Sequence, residues 1–334
     1  MKDENEKIIR GKKMNVKKIS ISDMDGFRIG NSQDYEAMTG VTAIVFDKKN
    51  VCGIDISGGG PAARESALFH PLSAQQSVTA LLLSGGSAYG LAASTGAMQY
   101  LEERGMGFHL GDIVVPIVPQ SCIFDLGIGS SKVRPDAKMG YEACVDAEEN
   151  HSVSGSVGGG TGATVGKICG MARSQKSGIG YAAFQAGELK MAAVVIVNAL
   201  GDVFDYKSGK KVAGFTTEDR KSFADMEDFM YGMQASFVKG TNTTIGAVIC
   251  NGDFSQQEMC KIAAMTRSAL GRSISPVGTS ADGDTVYAIT TGGVKADCNV
   301  AGLLACRALS EAILDAVESS KMDDEKYLKL IKTP

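Results

Sequence analysis

Short apolar runs alternate along the chain with breaks rich in glycine and polar residues. Runs at 41–46 (VTAIVF), 78–83 (VTALLL), 113–118 (IVVPIV), 192–197 (AAVVIV) and 244–250 (TIGAVIC) are rich in β-branched residues and too short for core helices. They predict buried strands, and 285–290 (TVYAIT) alternates as a half-buried strand does. Three longer stretches carry helical spacing. Residues 87–104 follow their strand through a Gly-Gly turn, and residues 256–270 open on a capping box of Ser255 with Glu258. Residues 299–317 place Val300, Leu303, Leu304, Ala308 and Leu314 on one stripe. Strands and helices mixed in this way predict a layered sandwich of the α/β (α+β) class.

Composition narrows the picture. At 334 residues, with 44% hydrophobic and 22% charged positions, the chain can bury one large core or two modest ones. No Pro/Ser linker and no fixed-period repeat divides it, which favours a single domain over 19–318. Residues 1–18, with Lys12, Lys13, Lys17 and Lys18, read as a flexible polar leader, and 319–334 as a charged C-terminal tail. A formal net charge of −4 argues against nucleic-acid and anionic-membrane partners, which require basic surfaces. No stretch approaches a membrane span and the leader lacks the apolar segment of a secretory signal, so a cytoplasmic placement is expected.

The eight cysteines, at 52, 122, 144, 169, 250, 260, 298 and 306, form no C-x-x-C pair, and only three histidines accompany them. Buried free thiols are expected in place of a disulfide framework or a zinc site.

Several motifs approach known chemistry and miss. GGGTGATVGK at 158–167 lacks the Gly of a phosphate loop at Thr161 and its Ser or Thr at Ile168, and no apolar strand precedes it as a dinucleotide fold demands. GGSAYG at 85–90 places its last glycine one position late for a nucleophile elbow, and reads as a strand-to-helix turn. His70, His109 and His151 form no metal or triad pattern.

KGTNTTIGAVICN at 239–251 sets two small hydroxyl residues between a polar approach and an apolar run. Two readings fit. The segment can be a loop ending in β-branched residues. It can also be built for an N-terminal nucleophile: a threonine hydroxyl is weak alone, but an α-amino group of pKa about 7.7–8.0 on the same residue supplies the base. That amine exists only once the preceding peptide bond is broken. Thr243 would attack the carbonyl of Asn242, and water would hydrolyse the resulting ester.

The second reading is the one a family resemblance carries. MTGVTAIVF, GIDISGGGPAARES, LLLSGGSAYGL, YLEERGMGF, IFDLG with RPDAKMGYEAC, GGGTGATVGK, VVIVNALGDV, NTTIGAVICN and ADGDTVYAITTG together resemble the P1 family peptidases, serine peptidase family S58. This group holds L-aminopeptidase/D-esterases, β-peptidyl aminopeptidases and the nylon-oligomer hydrolase, and the similarity runs from about residue 21 to 317. It implies a four-layer αββα sandwich and self-cleavage into an α chain, 1–242, and a β chain, 243–334. It also implies a homo-oligomer of αβ units, no cofactor, no metal, and a small peptide or amide substrate bearing an amine. Carried over by motif, Thr243 is the nucleophile, Asn242 ends the α chain and Asn198 stabilises the oxyanion. Asp282 and Asp284 are the acidic pair and Lys167 the nearby lysine, with Lys176 close enough in sequence to compete.

Asp282 and Asp284 alone read equally as an ordinary D-G turn. Phe124 stands where several members of the family carry Tyr, and a phenyl ring donates no hydrogen bond. Two rivals stay open at this level: acyl transfer to an amine, as in ornithine acetyltransferases, and an uncleaved protein that binds a small ligand at the Gly-rich 155–163 loop.

Overall fold

In the computed structural model, which describes residues 15–74, 76–232 and 242–331, the strand Thr243–Gly252 carries apolar groups on both faces. Ile245, Ala247 and Ile249 point one way, Val248 and Cys250 the other, and all are buried. A strand covered on both sides needs a layer on each. It is central in a six-stranded sheet whose spatial order is Lys17–Ile19, Ile179–Ala186, Leu189–Asn198, Thr243–Gly252, Thr285–Val294 and Val51–Ile56. Its pairing is antiparallel to Leu189–Asn198 and parallel to Thr285–Val294. A second sheet, of five strands, runs Phe27–Asp34, Thr39–Phe46, Ala80–Ser84, Gln120–Cys122 and Ala62–Arg64.

Three cores make four layers. Between the sheets, Ile245, Ala247, Ile249, Val194, Ile196 and Tyr287 meet Ile29, Ile44, Phe46, Leu81 and Leu83. Outside the first sheet, Val195, Val197, Val248 and Val286 pack against helices Gln256–Ser273 and Cys298–Glu318. Outside the second, Val41, Ala43 and Leu82 pack against helices Ala93–Glu102 and Ala137–Asp146. The architecture is the expected αββα sandwich. Among the described residues no helix is long and apolar enough to cross a membrane. All eight cysteines are free, five of them buried.

Local signals explain most boundaries. Ser255 and Glu258 form both halves of the capping box that opens Gln256–Ser273. The helix expected at 87–104 begins as a 3-10 turn, Ser87–Ala92, entered through Gly86 in the left-handed region.

Four expectations need correction. The run at 113–118 is split by Pro116: among the described residues Ile113–Val115 pairs only with Phe108–Leu110, in an exposed ribbon, because proline has no N–H for a ladder. On Cys298–Glu318, Val300 and Leu303 are 45% and 68% exposed, while the buried face runs through Ala301, Leu304, Ala305, Ala308 and Ala312. Alanines let that helix lie close on the sheet, and a stripe chosen by side-chain size is rotated away from the true one. The leader does not end at 18, since Lys17–Ile19 pairs with residues 183–185 at the sheet edge; its residues 1–14 lie outside the described residues.

The fourth correction is the tail. Residues 324–330 form the helix Asp324–Leu330, and Tyr327 is only 1% exposed, packed with Met38 and Ile128. The Tyr327 hydroxyl pairs with Ser174 Oγ at 2.5 Å, and Gly129 N–H donates to Leu330 O at 2.8 Å. Tyr327→Ala should therefore lower unfolding free energy by about 3–5 kcal/mol in denaturant titrations. A loss under about 0.5 kcal/mol, the level of a surface change, would return this segment to the status of a tail.

Candidate active site

Thr243 is the first residue of the central strand, 5% exposed, and its Cα partner across the antiparallel ladder is Asn198, the last residue of its own strand. Directly opposite residues project to the same face. Thr243 shares parity with Ile245 and Asn198 with Ile196, so both turn toward the space between the sheets. The Thr243 hydroxyl contacts the carbonyl oxygen of Asn242.

The fully buried Asn198 amide is oriented at both ends. Its Oδ1 accepts from the Thr164 N–H at 3.0 Å, and its Nδ2 donates to Phe124 O at 3.1 Å. A donor facing oxygen and a carbonyl facing nitrogen leave one sensible amide orientation. Phe124 thus contributes a main-chain carbonyl that orients Asn198, an acceptor that does not replace the donated bond of a tyrosine hydroxyl. Lys167 Nζ donates to Asn198 O at 2.8 Å.

The D-G turn lies against the start of the strand, and Asn242 bridges Asp282 in parallel fashion. Asp282 Oδ2 accepts from Thr279 N–H at 2.8 Å and its hydroxyl at 2.6 Å. Asp284 accepts from Thr244 N–H at 2.6 Å and Gly278 N–H at 2.9 Å. The five residues taken from the motifs, Thr243, Asn198, Lys167, Asp282 and Asp284, therefore converge on one largely buried polar cluster, although four segments far apart in sequence supply them.

Burial dominates its electrostatics. It raises both carboxyls, with Asp282 adding repulsion at Asp284. It lowers the Lys167 ammonium to about 7, against the attraction of Asp282, Asp125 and Asp284. Lys176 is also buried and also lowered to about 7 by burial, but of the acids only Asp125 acts on it. Its Nζ donates to the carbonyls of Ala163 at 3.1 Å, Gly160 at 3.4 Å and Ser177. Of the two lysines, Lys167 is the one that meets Asn198 and the acidic pair.

Asp125 escaped the motif reading. It accepts from Thr39 Oγ1 and Gly86 N–H, each at 2.7 Å, and burial raises it to about 6. The only sequence signal was its place one residue after Phe124 in IFDLG.

The Gly-rich stretch is packing and no ligand cradle, which corrects the small-ligand reading of 155–163. Gly158 N–H and Gly159 N–H donate to Gln33 Oε1 at 2.8 Å and Thr42 Oγ1 at 3.1 Å. A Cβ on Gly159 would sit 2.4 Å from Leu83 O, so glycine is required by the close approach of two backbones. His151 pairs with Asp146 on the surface, and His109 lies in the exposed ribbon.

Comparison with known proteins agrees with this fold. The family model of peptidase family S58 matches residues 20–324. The chain is 38% identical over 291 residues to an uncharacterized aminopeptidase of Mycobacterium tuberculosis, covering 82% of each. To a 6-aminohexanoate-oligomer endohydrolase of Kocuria sp. it is 26% identical over 312 residues, covering 89% of this chain and 85% of the other. Its fold matches the L-aminopeptidase D-Ala-esterase/amidase of Ochrobactrum anthropi, described as a variant of the Ntn hydrolase fold, with a TM-score of 0.70 at 15% identity over 93% of both chains. The sandwich and a family match across most of the sequence agree: the chain belongs to peptidase family S58, is a hydrolase, and has a fold like that of the Ochrobactrum enzyme.

Proposed function

We propose that this hydrolase cuts its own bond between Asn242 and Thr243 and then uses Thr243 to hydrolyse amide bonds of small substrates that carry a free amine. The observation that carries this reading is the Thr243 hydroxyl lying on the Asn242 carbonyl at the mouth of a rigid strand. The hydroxyl touches the carbonyl oxygen, one bond from the carbon that it would attack, and proximity of this kind lowers the ordering that the reaction still requires.

In self-cleavage, Thr243 Oγ bonds to the Asn242 carbonyl carbon and the C–N bond breaks. The hydroxyl proton passes to the departing nitrogen, which becomes the Thr243 α-amine. Water then hydrolyses the ester and releases Asn242 as a carboxylate. In turnover the freed amine takes the Thr243 hydroxyl proton as Oγ attacks the substrate carbonyl, and delivers it to the leaving amine. Asn198 donates its second N–H to the oxyanion, the first being held by Phe124 O. Lys167 keeps net charge in the cluster low, and Asp282 and Asp284 hold the Thr243 ammonium and the amine of the substrate. A substrate with an amine is in keeping with the names aminopeptidase and 6-aminohexanoate-oligomer endohydrolase borne by relatives. Family resemblance extends the reading to a homo-oligomer of αβ units.

Intact mass spectrometry of freshly purified protein should show fragments 1–242 and 243–334. Thr243→Ala should abolish both cleavage and hydrolysis, while Thr243→Ser retains part of each; normal turnover by the alanine variant would remove Thr243 from the chemistry. Asn198→Ala should lower kcat about 100-fold, and an unchanged kcat would move the oxyanion site elsewhere.

The buried pair also predicts a pH signature. Asp284 is raised to about 7, so between about pH 4 and that value the folded chain holds a proton the unfolded chain has released. The stability this contributes is complete below about pH 4 and is lost as pH rises through 7. In a Thr243→Ala background, where cleavage does not intervene, adding Asp284→Asn should raise the melting temperature relative to the parent progressively from pH 4 to pH 7, then level off. A difference that stays flat across that range would show Asp284 to be ionised throughout.

A further inference from the structure

Gly283, between the two acids, has so far been only a spacer. Its main-chain N–H donates to the carbonyl oxygen of Asn242 at 2.9 Å. That oxygen is the atom on which negative charge would gather if Thr243 attacked Asn242. We propose that the Gly283 N–H is the oxyanion donor of self-cleavage, and that position 283 must be glycine because the Thr243 hydroxyl occupies the space of a side chain. The inference rests on the self-cleaving reading above and adds a catalytic group to it.

Two observations support the donor. The peptide unit joining Asp282 to Gly283 is pinned at both ends: its carbonyl accepts from Gly60 N–H at 2.8 Å while its N–H reaches Asn242. Two residues on, the carbonyl of Asp284 is held by Ser57 N–H at 3.0 Å. A planar trans peptide fixed at its oxygen cannot swing its N–H away. Such a donor is aimed before the reaction starts and costs no reorganisation as charge develops. The Asn198 amide is bonded to Thr164 N–H and Phe124 O.

The spatial requirement is independent. A Cβ built on Gly283 would lie 2.9 Å from Thr243 Oγ1, 3.1 Å from Gly60 O and 3.2 Å from Pro61 Cα. Two of these neighbours are backbone held by hydrogen bonds or a ring, so the hydroxyl is the group that would move. The bonds made and broken are those of the self-cleavage above: the carbonyl oxygen gains charge against the N–H and returns to a carbonyl when the C–N bond breaks.

The test follows cleavage of the full-length chain by intact mass, made by cell-free translation with glycolic acid at position 283. This substitution replaces the N–H with an ester oxygen and adds no side chain. Glycolic acid at position 209 serves as control, because Gly209 N–H also donates one main-chain bond, to Asp205 O at 2.7 Å, in a surface turn. Cleavage should slow about 100-fold at 283, the typical cost of one oxyanion donor, and stay normal at 209. Gly283→Ala should slow it as well, with melting temperature reporting that the fold survives. Normal cleavage of the 283 ester would overturn the donor role, and normal cleavage of Gly283→Ala would overturn the spatial requirement. A wild-type chain that stays intact after long incubation would sink the self-cleaving reading itself.

Discussion

The register between Leu189–Asn198 and Thr243–Gly252 is the constraint on which the site depends. Side chains in a strand alternate with a period of two, so a slip of one residue would send Thr243 into the helix layer and Asn198 away from it. Nothing polar enforces that register along most of its length. It is held because Ile245, Ala247 and Ile249 fit between the sheets while Val248 and Cys250 fit under the helices. The same apolar alternation that builds the sandwich thus delivers a hydroxyl and an amide to one face at its end.

Placing charge there is costly, since an isolated buried ion is strongly disfavoured. Asp282 and Asp284 survive burial by accepting main-chain N–H bonds from Thr279, Thr244 and Gly278. Lys167 contributes the opposing charge. The outcome is that Asp284 and Lys167, each moved by burial to about 7, sit near the point of proton exchange at neutral pH, beside an Asp282 that burial also raises.

How much of this was legible in the sequence varied with the range of the interaction. The β-branched runs around 41–46, 192–197 and 244–250 announced strands, because fully buried strands need no partner to look apolar. NTT before such a run gave a chemical reason for a nucleophile, and the family motifs supplied Asn198, Lys167 and the acids. Asp125 stayed hidden, and Lys176 could not be told from Lys167, because their partners, Thr39, Gly86, Gly160 and Ala163, are brought in by tertiary contacts. The helix Ala137–Asp146 was missed although Asp136 caps it: its apolar face is made of small and sulfur-bearing residues with little periodic contrast. Tyr327 was lost in a charged background where one aromatic decides docking.

The order of the first sheet has a further consequence. Thr243–Gly252 and Thr285–Val294 lie side by side, with Leu189–Asn198 on one flank and Val51–Ile56 on the other. A cut after Asn242 therefore leaves the C-terminal piece clasped between strands of the N-terminal piece, with its two long helices covering both. The halves cannot part without dismantling the sheet, so a nicked molecule keeps its shape. Once unfolded, however, it would have to reassemble from two separate chains, a concentration-dependent encounter in place of a single chain closing on itself. Processing of this kind turns folding into a one-way journey: the sandwich is assembled as one polypeptide and persists afterwards by kinetic trapping.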